Sequence, residues 1–311
     1  MSLKILVVTN MFSESSSSYR PYIKQQIKSL KDKNIEVEKI NLRKFNFPLL
    51  NLLLGMVNIL IKTTGRKYDL IHAHYGFNGT SSILRYKTPL ITTFHGSDIH
   101  VKWQRMISKI PHRLGSESIF VSKNLFNLMG SKKGIVIPCG VDLDIFKPLP
   151  KEEVRKELKI PLDKRIIAFS GNKDAIAKNY PLFKKTLEKL DRNDNKEYYL
   201  WGYSQEMVVK ILNAADVLLM TSINEGSPVI IKEAIACNLP VVSVDVGDVK
   251  EVIGNIPGCY IGNYDPKELA QYVEKAINNK NFEGRKYITS YDNNLIAERL
   301  IEVYKKVLGE S

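Results

Sequence analysis

Residues 214–253 read AADVLLMTSINEGSPVIIKEAIACNLPVVSVDVGDVKEVI. Two short apolar runs, DVLLMTS and PVVSVD, flank a segment that carries helix start and stop signals. Ser227 is a good N-cap and Pro228 fits the first helical position. The helix is expected to run through PVIIKEAIAC and to stop around Asn238, with Pro240 beyond it. Strand, helix and strand in that order predict one parallel β–α–β unit. Glu225 then falls in the loop at the positive end of the helix, and Glu233 about a turn and a half inside, at the edge of an apolar face. Two acids near one helix N-terminus can accept hydrogen bonds from the hydroxyls of a polyol, while the free amides of Gly226 and Ser227 meet an anion. The plainer reading makes Glu225 a helix-dipole acid and Glu233 a solvated helix residue. Residue types alone leave both open.

The same alternation extends in both directions. KILVVTN, DLIHAH, PLITTFHG, SIFVS and GIVIPCG are strand candidates before residue 148; RIIAFSG, YYLWG, DVLLMTS, PVVSVD and GCYIG follow it. Amphipathic segments such as YRPYIKQQIKSLKDKN and PKELAQYVEKAINN lie between them. Five strands in each half predict an α/β protein of two doubly wound, Rossmann-like parallel-sheet domains. Pro148 and Pro150 break the chain before KEEVRKELKI, so the expected domains are 1–147 and 148–311, with the last helix a candidate to return to the first. Ligands in open parallel sheets sit beyond the carboxyl ends of the strands, and with two domains the expected site is the cleft between them.

The chain has 311 residues, 44% hydrophobic and 25% charged, which are globular values. Its three cysteines include no Cys-x-x-Cys pair, which argues against a disulfide frame or a structural zinc and for a reducing compartment. MSLKILVVTN reads as a strand rather than a secretory leader. FPLLNLLLGMVNILI, at 47–61, falls short of the roughly twenty residues that span a bilayer, so a buried or surface-lying helix is expected. Charge is uneven. Residues 1–150 hold 22 Lys and Arg against 9 Asp and Glu, a net of +13, and the remainder balances at 24 against 24. The first half is therefore expected to face something anionic, such as a membrane surface or a phosphorylated substrate. The basic residues lack interleaved aromatics, so no nucleic acid is expected.

Four loops carry further chemistry. TNMFSESSSSYRP, after the first strand, contains no glycine, which excludes the G-x-G-x-x-G of a dinucleotide fold. AFSGNKDAIAKNYP ends a strand at Ser170-Gly171 and offers Lys173 and Lys178 to a phosphate. TTFHGSDIH puts His95 and Asp98 at the end of a buried strand. In IHAHYG, His72 and His74 are expected on opposite sides of their strand, a poor chelate. The Asp142-Leu143-Asp144 stretch reads as a turn, and no metal site is expected.

Taken together, these stretches resemble the retaining GT-B glycosyltransferases of family four, in particular members close to the teichuronic-acid biosynthesis glycosyltransferases. Residues 214–253 carry the family's Glu-x7-Glu signature, and FHGSD and IPCGVDLDIFKP match two further stretches in order, so the likeness covers nearly the whole chain. It implies a nucleotide-diphosphate sugar, a UDP-sugar above all, held mainly by the second domain without a cofactor or metal. Glu233 matches the ribose-binding glutamate. Glu225 matches the one near the donor sugar, with Gly226, Ser227 and Pro228 lining sugar and phosphate. Lys178 matches the phosphate-binding lysine, beside Ser170, Gly171, Asn172 and Lys173. His95 matches the histidine near the reacting carbon, so His95, Lys178 and Glu225 are the candidate catalytic residues. The basic first half and the apolar 47–61 segment fit docking on an anionic membrane to reach a lipid-linked or polysaccharide acceptor, so a cytoplasmic enzyme peripheral to the inner membrane face is expected. Two departures stand out: where the family has Gly-Arg the chain reads Gly171-Asn172-Lys173, with Asn172 in place of the arginine and Lys173 a candidate substitute, and Tyr19-Arg20-Pro21 replaces a glycine pair. A nucleotide-sugar epimerase of the same architecture and a non-catalytic nucleotide-sugar or polyanion-binding protein are the competing readings.

Overall fold

The computed structural model describes residues 3–10, 21–42, 48–65, 68–190 and 194–310. The serine run and Tyr19-Arg20 lie outside the described residues. Two all-parallel sheets are present. The first contains β1 (Lys4–Thr9), β2 (Glu36–Asn41), β3 (Leu70–His74), β4 (Leu90–Phe94), β5 (Glu117–Phe120) and β6 (Ile135–Val136), in the order β2-β1-β3-β4-β5-β6. The second contains β7 (Arg165–Phe169), β8 (Asn195–Tyr199), β9 (Val217–Met220), β10 (Val241–Val244) and β11 (Tyr260–Gly262), in the order β11-β10-β9-β7-β8. Every residue of β3, β4, β7, β9 and β10 is buried, as strands covered on both faces must be. Each sheet reverses direction once, between β1 and β3 and between β7 and β9. Loops at such switch points are where open α/β sheets bind ligands.

The first sheet has a strand that the sequence reading left out. β2 is EVEKIN, an edge strand in which only Val37 and Ile40 are buried and the charged Glu36, Glu38 and Lys39 are not. Charge on an edge strand hides the apolar signal while guarding against edge pairing. β8, at the edge of the second sheet, ends at Tyr199, three residues before the end of the predicted YYLWG.

The chain forms two compact units. One holds β1, residues 23–139 and residues 294–311; the other holds residues 140–293. Residues 140–147, which the sequence assigns to the first domain, cluster with the second unit. Val141 bridges to Asp292 there, and the Arg285 guanidinium donates to the carbonyls of Leu143 (2.6 Å) and Phe146. Helix Asn293–Leu308 packs on the first unit. Its Tyr304 is fully buried, with its hydroxyl 2.7 Å from His72 Nδ1, and Arg299 donates to the Val136 carbonyl at 2.9 Å.

In the first unit, small residues set the spacing of three helices. Helix Gly76–Ser81 lies between helices Pro48–Thr63 and Lys102–Leu114. A Cβ on Gly55 would come within 2.9 Å of Ser81 Oγ, and one on Gly76 within 1.8 Å of Ser108 Oγ. Thr80 Oγ1 also donates to the Ile107 carbonyl at 3.2 Å. No helix among the described residues is long and apolar enough to cross a membrane.

Candidate active site

In the second unit the switch point is built around one lysine. β7 ends at Phe169, and Gly171 takes φ +132°, so the space where a Cβ would stand is filled by the Lys178 side chain, with Cγ 2.7 Å from that position. Only glycine allows this close approach. Lys178 closes a short 3-10 turn, Ile176–Lys178, and Asn179 follows at φ 52°. The turn is stitched to the end of β9. Thr221 Oγ1 donates to the carbonyls of Lys178 and Asn179, both at 3.1 Å, and Ile223 N–H donates to the Ala177 carbonyl at 2.8 Å.

Lys178 Nζ meets Glu225 Oε1 at 2.6 Å, so the structure brings two of the candidate catalytic residues into one half-buried ion pair. An ammonium has three donors, so Lys178 keeps bonding capacity beyond its contact with Glu225. Lys173 is placed differently. Its ammonium lies over the Tyr199 ring, 3.3 Å from the centroid, with Tyr180 next to it. The Tyr180 and Tyr199 hydroxyls both donate to Glu197. Asn172 Oδ1 accepts the Asp174 N–H at 3.0 Å and so opens the loop as an Asx turn.

Helix Val229–Ala236 begins beyond Glu225, and two expectations change here. Pro228, not Ser227, is the N-cap. The Ser227 hydroxyl instead donates to Asp248 Oδ2 at 2.6 Å and accepts from Lys232 Nζ at 2.8 Å, while Lys232 Nζ reaches Asp248 Oδ2 at 2.7 Å. This triad is buried beneath the Gly226-Ser227-Pro228 turn, with Lys232 fully enclosed. Gly247 (φ +62°) brings the Asp248 turn so close that its missing Cβ would lie 2.7 Å from the Gly226 carbonyl oxygen. The second change concerns Glu233. It is not a solvated helix residue but a buried one, and burial pushes its carboxyl up to about 8, against the pull of the Lys232 charge. No hydrogen bond to that carboxylate is found among the described residues. A desolvated acid of this kind marks a place where a ligand's donors would be used.

In the first unit, His95 follows β4, the neighbour of the switch strand β3. β4 ends at Phe94, Gly96 has φ +141°, and Asp98 is buried in the short helix Ser97–His100. Its carboxylate accepts the N–H groups of His95 (3.1 Å), Gly96 (2.8 Å) and Gly76 (3.1 Å), which fixes the loop. Burial nevertheless lifts Asp98 to about 6. His74 Nδ1 lies 2.9 Å from His95 Nε2, and the two rings stack at 5.2 Å. His72 and His74 are not on opposite sides of β3: residues two apart share a face, and their rings stack at 4.4 Å. Burial pushes His72 down to about 3 and His74 well below its ordinary value, so both are neutral. His74 Nε2 is buried without a partner. An orphaned N–H is rarer than an orphaned lone pair. The pairing that avoids it has His74 Nδ1–H donating to His95 Nε2, which leaves the His95 proton on Nδ1. Asp142 Oδ1 accepts the N–H groups of Asp144 and Ile145, both at 3.1 Å, which is a turn. Among the described residues no group of three His, Cys, Asp or Glu is arranged to hold a metal ion.

Residues 9–145 match the model described as Glycosyltransferase Family 4, and residues 164–279 match that for Glycosyl transferases group 1. The chain belongs to the family 4, group 1 glycosyl transferases. Among curated relatives of this family member, TuaC of Bacillus subtilis, assigned to teichuronic acid biosynthesis as a glycosyltransferase, is 27% identical over 67% of the chain and 61% of its own length. A D-inositol 3-phosphate glycosyltransferase of Mycolicibacterium smegmatis is 23% identical over 68% and 60%. The chain thus spans about three fifths of the length of these relatives. Among solved structures, sucrose-phosphate synthase of Thermosynechococcus elongatus superposes with a TM-score of 0.85 at 17% identity, covering 99% of this chain and all of that one. Anabaena HepE, solved in complex with UDP-glucose, superposes at 0.75, again at 17%, over 98% and 100%. The two-sheet architecture is the GT-B fold.

The Glu-x7-Glu spacing made Glu225 and Glu233 findable. A lysine inside VIIKEAIA, a helix otherwise apolar but for Glu233, is a signal of a buried ammonium that needs a counter-charge, which Asp248 supplies. His74 is hidden from the sequence pattern only if residues two apart on a strand are taken to face opposite ways; they share a face.

Proposed function

We propose that this chain moves a sugar from a nucleotide-diphosphate sugar, a UDP-sugar above all, to an acceptor hydroxyl with retention of configuration and without a metal. The observation that carries the reading is the Lys178–Glu225 pair at the β7/β9 switch point, just before the helix that carries the buried Glu233 carboxylate, which no described residue hydrogen-bonds. Lys178 would bind the diphosphate and oppose the negative charge that develops as it leaves. The first free amides of helix Val229–Ala236 would add to that charge stabilisation. Glu225 would accept from the donor sugar's hydroxyls, and Glu233 from the two ribose hydroxyls, which supply the donors its burial demands. Ser170, Gly171, Asn172, Gly226, Ser227 and Pro228 would line the donor, and the buried Lys232–Asp248 pair would hold Ser227 in place. Lys173, seated on Tyr199, is the candidate for the second diphosphate cation. His95 is assigned to the reacting end of the sugar by family resemblance, with His74 setting its tautomer. The acceptor would be a lipid-linked saccharide or a polysaccharide, reached by an enzyme peripheral to an anionic membrane.

The test is incubation with a panel of UDP- and other nucleotide sugars without acceptor, followed by product analysis. Slow release of free sugar and nucleoside diphosphate supports a transferase. An altered sugar still on its nucleotide would establish the epimerase, and binding without turnover would leave a non-catalytic binder.

A further inference from the structure

Two helices of the first unit are built inside out. In helix Lys102–Leu114 the buried residues are Ser108 and Pro111, while Trp103, Met106, Ile110 and Leu114 are exposed, Met106 to 72% and Trp103 to 52%. The exposed four recur every three or four residues and therefore form one stripe. Lys102, Arg105, Lys109 and Arg113 run beside it at the same period. In helix Pro48–Thr63 the inward residues are Gly55, Ile59 and Thr63, and the outward ones are Leu53, Leu54, Val57, Leu60 and Ile61, the last exposed to 68%. Helix Gly76–Ser81 lies between the two and touches both, so the stripes belong to one layer. Exposed apolar residues are ordinary singly; two stripes on one layer are an interaction surface.

Charge decides the occupant. Neither helix contains an acid, and residues 48–114 hold nine Lys and Arg against two Asp and Glu, of which Asp98 is buried in the His95 loop. A second copy of the chain on this face would set the basic row against itself. We propose that this layer seats the first unit on a lipid bilayer with anionic headgroups. Trp103, Met106 and Ile110 enter the boundary between headgroups and acyl chains, and Lys102, Arg105, Lys109 and Arg113 meet lipid phosphates. Trp favours that depth because its ring is apolar and its N–H polar, and Lys and Arg reach outward along apolar stems. The inference deepens the part of the proposed function that brings the enzyme to a membrane, but its test does not use turnover.

The full chain is placed in a Trp201→Phe background, so that Trp103 is the only indole, and mixed with vesicles of phosphatidylcholine and phosphatidylglycerol or of phosphatidylcholine alone. Co-sedimentation with the anionic vesicles is expected, falling with salt and weaker by about tenfold or more on neutral ones. Trp103 emission should shift to the blue and be quenched by acyl chains brominated near the headgroup. Met106→Glu/Ile110→Glu should lower vesicle binding by about tenfold or more, since a charge is costly at that depth. UDP binding by the same variant, measured in parallel, reports its folding and separates failure of this inference from failure of the donor site. No binding to anionic vesicles, binding unchanged in the double variant, or a dimer that the double variant dissolves in a protein that ignores vesicles would each overturn the proposal.

Discussion

The strand ends at β7/β9 in the second sheet and at β3/β4 in the first use opposite electrostatics. At β7/β9, the second unit presents formal charge at the surface: Lys178 and Glu225 are paired but half-exposed, and a second ion pair, Lys232–Asp248, is sealed beneath them. At β3/β4, the first unit has withdrawn charge. His72 and His74 are neutral, Asp98 spends its carboxylate on three backbone amides, and His95 leans on a neutral ring. The lesson is a division of labour. Charged, partly wet groups suit an anion that must come and go. Neutral, fixed groups suit hydrogen bonds whose direction matters more than their strength.

The comparison breaks first, if it breaks, at Lys232. Lys232→Met leaves Asp248 buried without its partner, and loss of one member of a buried pair should destabilise by about 3–5 kcal/mol in urea unfolding. A loss under about 1 kcal/mol would mean that water reaches the pair and that the second unit's charges are all surface charges. Next comes Lys178→Ala, expected to reduce turnover by about a hundred- to a thousandfold, the range for one group that stabilises a leaving charge. Lys178→Arg should retain part of the activity, and wild-type rates in the alanine variant would remove the lysine from the chemistry.

Glu233→Ala should weaken nucleoside diphosphate binding by about 1.5–3 kcal/mol by calorimetry. The same residue gives a pH signature. Its folded value, about 8, lies above the ordinary 4.5, so the proton it holds favours the folded state fully below pH 4.5, and that contribution fades as pH rises through 8. Urea midpoints should therefore carry a downward slope between those limits that Glu233→Gln removes. If ribose hydroxyls recruit the ionised form, binding at pH 7 should release a proton, seen as a dependence of the binding heat on buffer. The smallest expected effect is none at all: EDTA should leave turnover unchanged, and a full, reversible loss would return Asp142 and Asp144 to consideration.

Much of this was legible in the residues, for identifiable reasons. Strands such as RIIAF and VLLM are buried on both faces and announce themselves as unbroken apolar runs. β2 did not, because an edge strand keeps its charges. Glu225 and Glu233 could be found because sequence spacing links them. Lys232 and Asp248 are sixteen residues apart and joined only by the turn at Gly247, which no local pattern encodes. The role of Ser227 changed for the same reason: a serine before a proline reads as a cap until a buried ammonium and carboxylate are seen to claim its hydroxyl.

Tyr304 carries a consequence for how the molecule is made. Its hydroxyl completes the polar core around His72, yet it is synthesised only after residues 140–293 have been joined to the chain. The unit that begins first therefore closes last, and its interior stays one hydrogen-bond partner short while the other unit is being assembled. A fragment cut at residue 147 would keep all six strands of the first sheet and still lack the side chain that seals them.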